Sequence, residues 1–393
     1  MIIKVNILFL RKLFLLCLFQ MLLFVLQVNG QTMSQKMAAT TMKIWSDTAS
    51  TVKWDYDRGV LMKGIEGVWL QTSDSKYFNY MKSYLNQLIA EDGIIKGYKK
   101  EDYNIDNILL GRTVLLLYQK TGQDKYKKAL LNLREQLKKQ PRTNEGGFWH
   151  KKRYPYQMWL DGLYMGEPFY TEYATLFHED IDFDDIANQF IYMENHARDA
   201  KTGLLYHGWD ESKKEKWADS ITGLSQNFWG RADGWYAAAL VDVLEKFPAN
   251  HPKRAQLLAI FNRLTVALQK YQDNKSGVWY QILDKATAKG NYLEASASCM
   301  FVYAMAKGVR LGFIDKHYKK IAEKGYKGIL NKFIETDSNG QVNLNGTVSV
   351  AGLGGTPYRD GSYQYYLSEK VIQNDAKGVG MFIQAAVEME RLK

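Results

Sequence analysis

Only six prolines interrupt the 393 residues of this chain. Between them, apolar side chains recur at three- and four-residue intervals in one long segment after another, which confines the chain to a helical architecture. The segments run over 60–71, 74–91, 106–121, 125–139, 158–177, 184–198, 231–247, 252–274, 292–312, 315–335 and 375–391, with a first one around Met37. That makes about a dozen helices and few credible strands. No Pro/Ser-rich linker or shift in composition divides them.

Helices in series on an uninterrupted chain close as hairpins packed in two concentric layers, an all-α toroid. Segments 106–118 and 292–306 are apolar on most faces, as an inner ring buried on both sides requires, whereas 125–139 is amphipathic and suits an outer ring. A helical solenoid is the competing architecture, and no repeat of roughly 30 to 50 residues supports it. A length above the usual single-domain size leaves two domains or one large closed architecture, and the missing linker favours the second.

The N-terminus reads as a leader. Lys4, Arg11 and Lys12 form a charged region before an apolar stretch over 13–26, followed by Gln27-Val-Asn-Gly-Gln. This stretch is short for a membrane anchor and is interrupted by Gln20. Residues 1–30 are therefore expected to be a signal peptide, and 31–393 a single exported catalytic domain, periplasmic or secreted, with no membrane attachment after cleavage. Of the two cysteines, Cys17 leaves with the leader, so Cys299 has no intramolecular partner.

Losing Lys4, Arg11 and Lys12 takes the formal charge from +10 to +7. The surplus favours anionic partners. Nucleic acid is not expected, because no Lys/Arg run with interleaved aromatics and no recognisable module is present. A uronate-bearing sugar satisfies the same electrostatics. The interhelical loops Glu145-Gly-Gly-Phe-Trp-His-Lys-Lys, Leu205-Tyr-His-Gly-Trp-Asp, Ser225-Gln-Asn-Phe-Trp-Gly-Arg and Gly352-Leu-Gly-Gly-Thr-Pro-Tyr-Arg-Asp-Gly-Ser-Tyr combine glycine or aromatics with single charges. Aromatic planes with a few directed polar groups are what a sugar site needs.

Asp161 opens an otherwise apolar helix between Trp159 and the pair Tyr164 and Met165 one turn on. Partial desolvation there is expected to raise its pKa and keep it protonated, although the helix N-terminus pulls the other way, and an N-cap is the plain alternative. Asp106, in Tyr103-Asn-Ile-Asp-Asn-Ile, is a second lone acid opening an apolar helix. Two such acids at the same ends of two inner helices would pair carboxylates at one mouth, as acid/base work on sugars requires. Arg231, between Phe228-Trp229-Gly230 and Trp235, suits a bidentate hold on a carboxylate. His207 and Lys151 are further cationic candidates, each also readable as a structural histidine and a surface charge. Asp180-Ile-Asp-Phe-Asp-Asp lacks the Gly and Glu of a calcium loop. The six histidines lack metal-ligand spacing, and no cofactor or metal is expected.

Met158-Trp-Leu-Asp-Gly-Leu-Tyr-Met, Tyr206-His-Gly-Trp-Asp, Phe228-Trp-Gly-Arg-Ala-Asp-Gly-Trp and Pro357-Tyr-Arg-Asp-Gly-Ser-Tyr, in this order, resemble the unsaturated rhamnogalacturonyl hydrolases of glycoside hydrolase family 105 over nearly the whole mature chain. The resemblance implies an (α/α)6 barrel, a six-hairpin toroid. It implies that Asp161 is the catalytic acid and Asp106 the second active-site aspartate. It places Tyr56, Lys151, Trp159, His207, Trp229, Arg231 and Trp235 around the sugar, and Met165, Tyr358 and Arg359 join them as candidate substrate contacts. The implied partner is an unsaturated oligosaccharide produced by a polysaccharide lyase. Three other readings stay open: a glucuronyl hydrolase on glycosaminoglycan fragments, an ordinary inverting glycosidase, and a glycan-binding barrel without activity. The oligomeric state is left open.

Overall fold

The computed structural model describes residues 30–46 and 52–392, so the expected leader lies, apart from Gly30, outside the described residues. The helices are α1 (Met33–Ile44), α2 (Tyr56–Thr72), α3 (Ser75–Asn86), α4 (Gly111–Thr121), α5 (Asp124–Lys139), α6 (Leu160–Phe177), α7 (Asp182–Ala197), α8 (Gly230–Lys246), α9 (Arg254–Lys270), α10 (Ala295–Arg310), α11 (Tyr318–Lys332), a short α12 (Tyr363–Ser368) and α13 (Ala376–Arg391). Three antiparallel two-stranded ladders join them: β1 (Gln157–Trp159) with β2 (Gly208–Asp210), β3 (Ile334–Thr336) with β4 (Val342–Leu344), and β5 (Thr347–Val348) with β6 (Val371–Ile372).

The packing closes a ring. α2, α4, α6, α8, α10 and α13 each contact the next, and α13 returns to α2; α3, α5, α7, α9 and α11 back α2, α4, α6, α8 and α10, while α1 backs α13. The sixth hairpin thus joins the two ends of the described chain, and the fold is an (α/α)6 barrel. Burial follows the layers. Every residue from 230 to 244 of α8 and from 295 to 308 of α10 is buried, as an inner helix covered on all sides requires. Outer α5 buries one stripe, including Tyr126, Leu130, Leu133 and Leu137, and exposes Lys127, Lys128, Lys138 and Lys139. Closure of α13 on α2 needs a glycine: a Cβ on Gly380 would stand 2.6 Å from the Val60 carbonyl oxygen.

Two local departures from the expected elements matter for the site. The segment read as one helix over 106–121 begins as a 3-10 turn, Ile105–Ile108, before α4. The ladders, none longer than three residues per strand, are too short to show a period of two in sequence. Cys299 is buried and unpaired among the described residues. No helix of the described residues is long and apolar enough to cross a membrane.

Candidate active site

All six inner helices start at the same end of the barrel. Ion pairs and hydrogen bonds tie these starts together: Lys377 of α13 to Asp57 of α2 at 3.4 Å, and Arg231 of α8 to Ser296 of α10 at 3.3 Å. The opening residues are Tyr56 on α2, Asp106 in the turn before α4, Asp161 on α6, Arg231 on α8, Glu294 capping α10 and Asp375 capping α13. Each helix also points the positive end of its peptide dipole, about half an elementary charge, at this mouth. The sum favours an anionic guest.

Asp161 is the second residue of α6. It is not the N-cap, a position held by Trp159 in extended conformation without a side-chain cap. Its placement comes from the β1–β2 ladder, in which Trp159 faces Gly208 and the Leu160 N–H donates to the His207 carbonyl at 3.0 Å. Asp161 Oδ2 and His207 Nε2 are thereby held 3.0 Å apart. Neither atom has another partner. Since Oδ2 is buried while 14 % of the side chain stays accessible, Oδ1 is the oxygen that faces outward.

Burial alone would raise the Asp161 carboxyl, the shift expected from the sequence. The cationic side of His207, then His150 and Arg231, outweighs it, and the net shift is downward. The expectation of a protonated resting Asp161 is thus corrected: desolvation is real but loses to three neighbouring bases. His207 is fully buried, with Nδ1 2.8 Å from the Tyr366 hydroxyl, and burial raises that phenol well above its usual range.

Asp106 sits on the other side of the mouth. Its N–H is capped by the Asn104 side chain at 3.2 Å, while Lys151 Nζ reaches Oδ2 at 2.5 Å and His150 Nε2 lies 3.4 Å from Oδ1. Lys151 is therefore no free surface charge. Burial pushes the Tyr56 phenol up, and Asp57, Asp106 and Asp375 add to the shift against Arg231, which puts that hydroxyl within reach of charges from four inner elements. Arg231 is buried, anchored by Nη1 to the Val348 carbonyl at 2.5 Å, with Nε unpartnered. That N–H is a buried donor with no acceptor among the described residues.

The three tryptophans are packed into the wall and floor of the mouth. Trp159 stacks on His150 at 4.4 Å and on Tyr154 at 5.0 Å. Trp229 carries Arg231 at 4.9 Å and leans on His207 at 4.8 Å. Both are buried, so they grip the reactive side chains rather than offer open faces. Trp235 stacks on Tyr164 at 4.7 Å, and with Met165 it is buried one turn below Arg231 and Asp161, in the floor. Arg359 joins the site through Tyr154, donating to its hydroxyl at 2.9 Å. Tyr358 stays at the rim, 43 % exposed, its hydroxyl accepting from the Trp217 N–H at 3.0 Å.

Sequence reasoning missed His150 and Tyr366. His150 lies inside a loop already noted for its aromatics, beside Lys151, and was the findable one. Tyr366 is 159 residues from His207 and carries no local signal. Among the described residues no group of three His, Cys, Asp or Glu could hold a metal ion.

The profile of Glycosyl Hydrolase Family 88 matches residues 26–393. A solved glycoside hydrolase from family 105 of C. acetobutylicum is 49 % identical, covers 92 % of this chain and 100 % of its own, and superposes with a TM-score of 0.89. An unsaturated rhamnogalacturonyl hydrolase, YesR, of Bacillus subtilis is 28 % identical over 78 % of this chain and 84 % of its own. The unsaturated glucuronyl hydrolase of Bacillus sp. GL1, described as responsible for the degradation of glycosaminoglycan, shares the fold, with a TM-score of 0.67 at 13 % identity over 91 % of this chain and 95 % of its own.

Proposed function

The chain belongs to glycosyl hydrolase family 88 and is an unsaturated glycuronyl hydrolase of the family 105 kind, and from that premise we propose that it acts on unsaturated rhamnogalacturonan disaccharides left by polysaccharide lyases. The observation that carries the reading is Asp161, held against His207 with one oxygen facing the mouth, beside the unpartnered Arg231 Nε. The pectic choice draws on the likeness to YesR.

The terminal sugar of such a product is a vinyl ether with a carboxylate at C5. Arg231 takes the carboxylate. In the free enzyme Asp161 is ionised partly because Arg231 is cationic; an anion bound to Arg231 cancels that help and adds negative charge, so Asp161 gains a proton. It hands this proton to C4, and an oxocarbenium ion forms at C5. Water adds to C5 while Asp161, again a carboxylate, takes its proton. The hemiketal opens to a keto acid as the glycosidic bond breaks. Asp106, fixed by Lys151 and near His150, positions water or substrate. The leader over residues 1–30 makes the site of action extracytoplasmic in this reading, and an N-terminal sequence of the secreted protein starting upstream of Leu13 would refute that part.

The test is ultraviolet absorbance on a panel of lyase-generated disaccharides, because hydration of the conjugated bond abolishes the signal. Turnover on the rhamnogalacturonan product is expected. Preference for a glycosaminoglycan product moves the enzyme to the glucuronyl group, and sugar release with undiminished absorbance marks an ordinary glycosidase.

A further inference from the structure

Behind His150, on the side away from Asp106, lies a small cavity bounded by Ile105, Phe148, Met158, Leu163, Glu167 and Gln189. It offers about 10 Å³ to the centre of a water molecule, close to what one water occupies. Two buried polar atoms of its lining have no partner: His150 Nδ1 and Glu167 Oε2. Orphaned buried groups of this kind are rare and costly, and a bridging water satisfies both. Gly162 makes the approach possible, since a Cβ there would stand 3.2 Å from His150 Nδ1.

We propose that Glu167 is a positioning residue which, through one water in this cavity, donates to His150 Nδ1 and so holds the ring proton on Nε2, toward Asp106. A neutral imidazole has one N–H, and the partner of one nitrogen decides which atom carries it. Asp106, paired with Lys151 at 2.5 Å, is an acceptor and needs that N–H. Both groups have the required protonation. Burial pushes His150 down to about 4 against the pull of Asp106 and Asp161, with Lys151 and His207 adding to the fall. Burial and then Asp185 push Glu167 well up, opposed by Arg142 and Arg134, and Asp185 is itself held by Arg142 at 2.7 Å. Gln189 keeps Nε2 on Asp185 at 3.0 Å and accepts the Phe148 N–H at 2.8 Å. It leaves the donor role in the cavity to Glu167.

The experiment has two arms. Nitrogen-15 spectra of the histidine-labelled full-length protein at neutral pH read the His150 tautomer without any substrate, and an Nε2–H form is expected. Steady-state kinetics on an unsaturated uronyl disaccharide then compare E167Q, whose amide still donates, with E167L, which does not. E167Q is expected to stay within about threefold of the native kcat. E167L is expected to lose about tenfold in kcat, roughly one hydrogen bond's worth, with KM little changed, a mixed His150 tautomer and an undiminished Tm. A native Nδ1–H tautomer, or E167L with native kcat, overturns the proposal. The kinetic arm rests on the function proposed above and the spectroscopic arm does not, so a wrong substrate and a wrong role for Glu167 give different results. Should E167L fail to fold, the native tautomer and E167Q still decide.

Discussion

The two ends of the barrel are both crowded with charge, and they use it in opposite ways. At the end where the inner helices finish, a hollow of about 180 Å³ is lined by residues including Lys63, Glu66, Arg112, Glu172, Glu245 and Lys307. These charges are paired off. Arg112 binds Glu172 at 2.6 Å and Asp242 at 2.8 Å, Lys307 binds Asp242 at 2.6 Å and Glu245 at 2.9 Å, and Arg310 binds Glu388 at 2.6 Å. At the end where the helices begin, Asp161 Oδ2 and His207 Nε2 have only each other, at 3.0 Å, and Arg231 Nε and His150 Nδ1 are buried without a hydrogen-bond partner. A saturated cluster resists change, because breaking one buried pair strands a charge. An unsaturated one is held ready by its surroundings for a guest that completes it.

The sharpest way to break this contrast is Asp161→Asn. We expect kcat to fall by about 10²–10⁴-fold, the usual share of a general acid, with circular dichroism and Tm unchanged. Turnover near the native value would remove Asp161 from the mechanism. The counterpart at the other end is Asp242→Asn. Taking away the carboxylate shared by Arg112 and Lys307, which leaves each cation only one partly buried partner, Glu172 and Glu245, is expected to cost about 3–5 kcal/mol in denaturant unfolding, with kcat per folded molecule unchanged. Asp242 is held well below the usual carboxylate range by Lys307 and Arg112 against burial. Its contribution is therefore present above about pH 4, the unfolded value, and is lost as the pH falls through the lower folded value. The native protein should lose stability in acid more steeply than the variant.

A finer prediction concerns the proton on Asp161. On the proposed mechanism its pKa rises when a carboxylate occupies Arg231 and it acts in the protonated form, so the basic limb of kcat should lie at higher pH than that of kcat/KM. Coincident limbs would mean that substrate binding leaves Asp161 unmoved. A further pH effect is expected in the wall behind His207. Asp233 accepts the Leu205 N–H at 3.1 Å and is pushed up to about 8 by burial. The folded protein keeps this proton while the unfolded chain loses it near pH 4, so stability declines as pH rises from about 4 to about 8. Asp233→Asn should flatten the Tm profile over that interval.

The long inner and outer helices were legible because their apolar patterns extend over three to five turns, and Asp106 and Asp161 because an acid at the head of an apolar helix is conspicuous. The protonation of Asp161 was not legible, since it depends on His207, His150 and Arg231 arriving from other parts of the chain. The same holds for Trp159 and Trp229, whose faces look free in sequence and are filled by neighbours in the fold. Three-residue ladders carry no period, yet β1 and β2 set the Asp161–His207 spacing.

The junction of α13 with α2 has a bearing on how the enzyme comes into being. Lys377 and Asp57 meet across 320 residues of sequence, and Gly380 lies against Val60 at the same seam. A nascent or clipped chain lacking that final helix can form local hairpins, but it has neither a closed circle nor a sixth side to the mouth where the inner helices begin. Such long-range closure comes late in assembly, so activity arrives all at once, and removing α13 should abolish it even in a remnant that retains most of its helices.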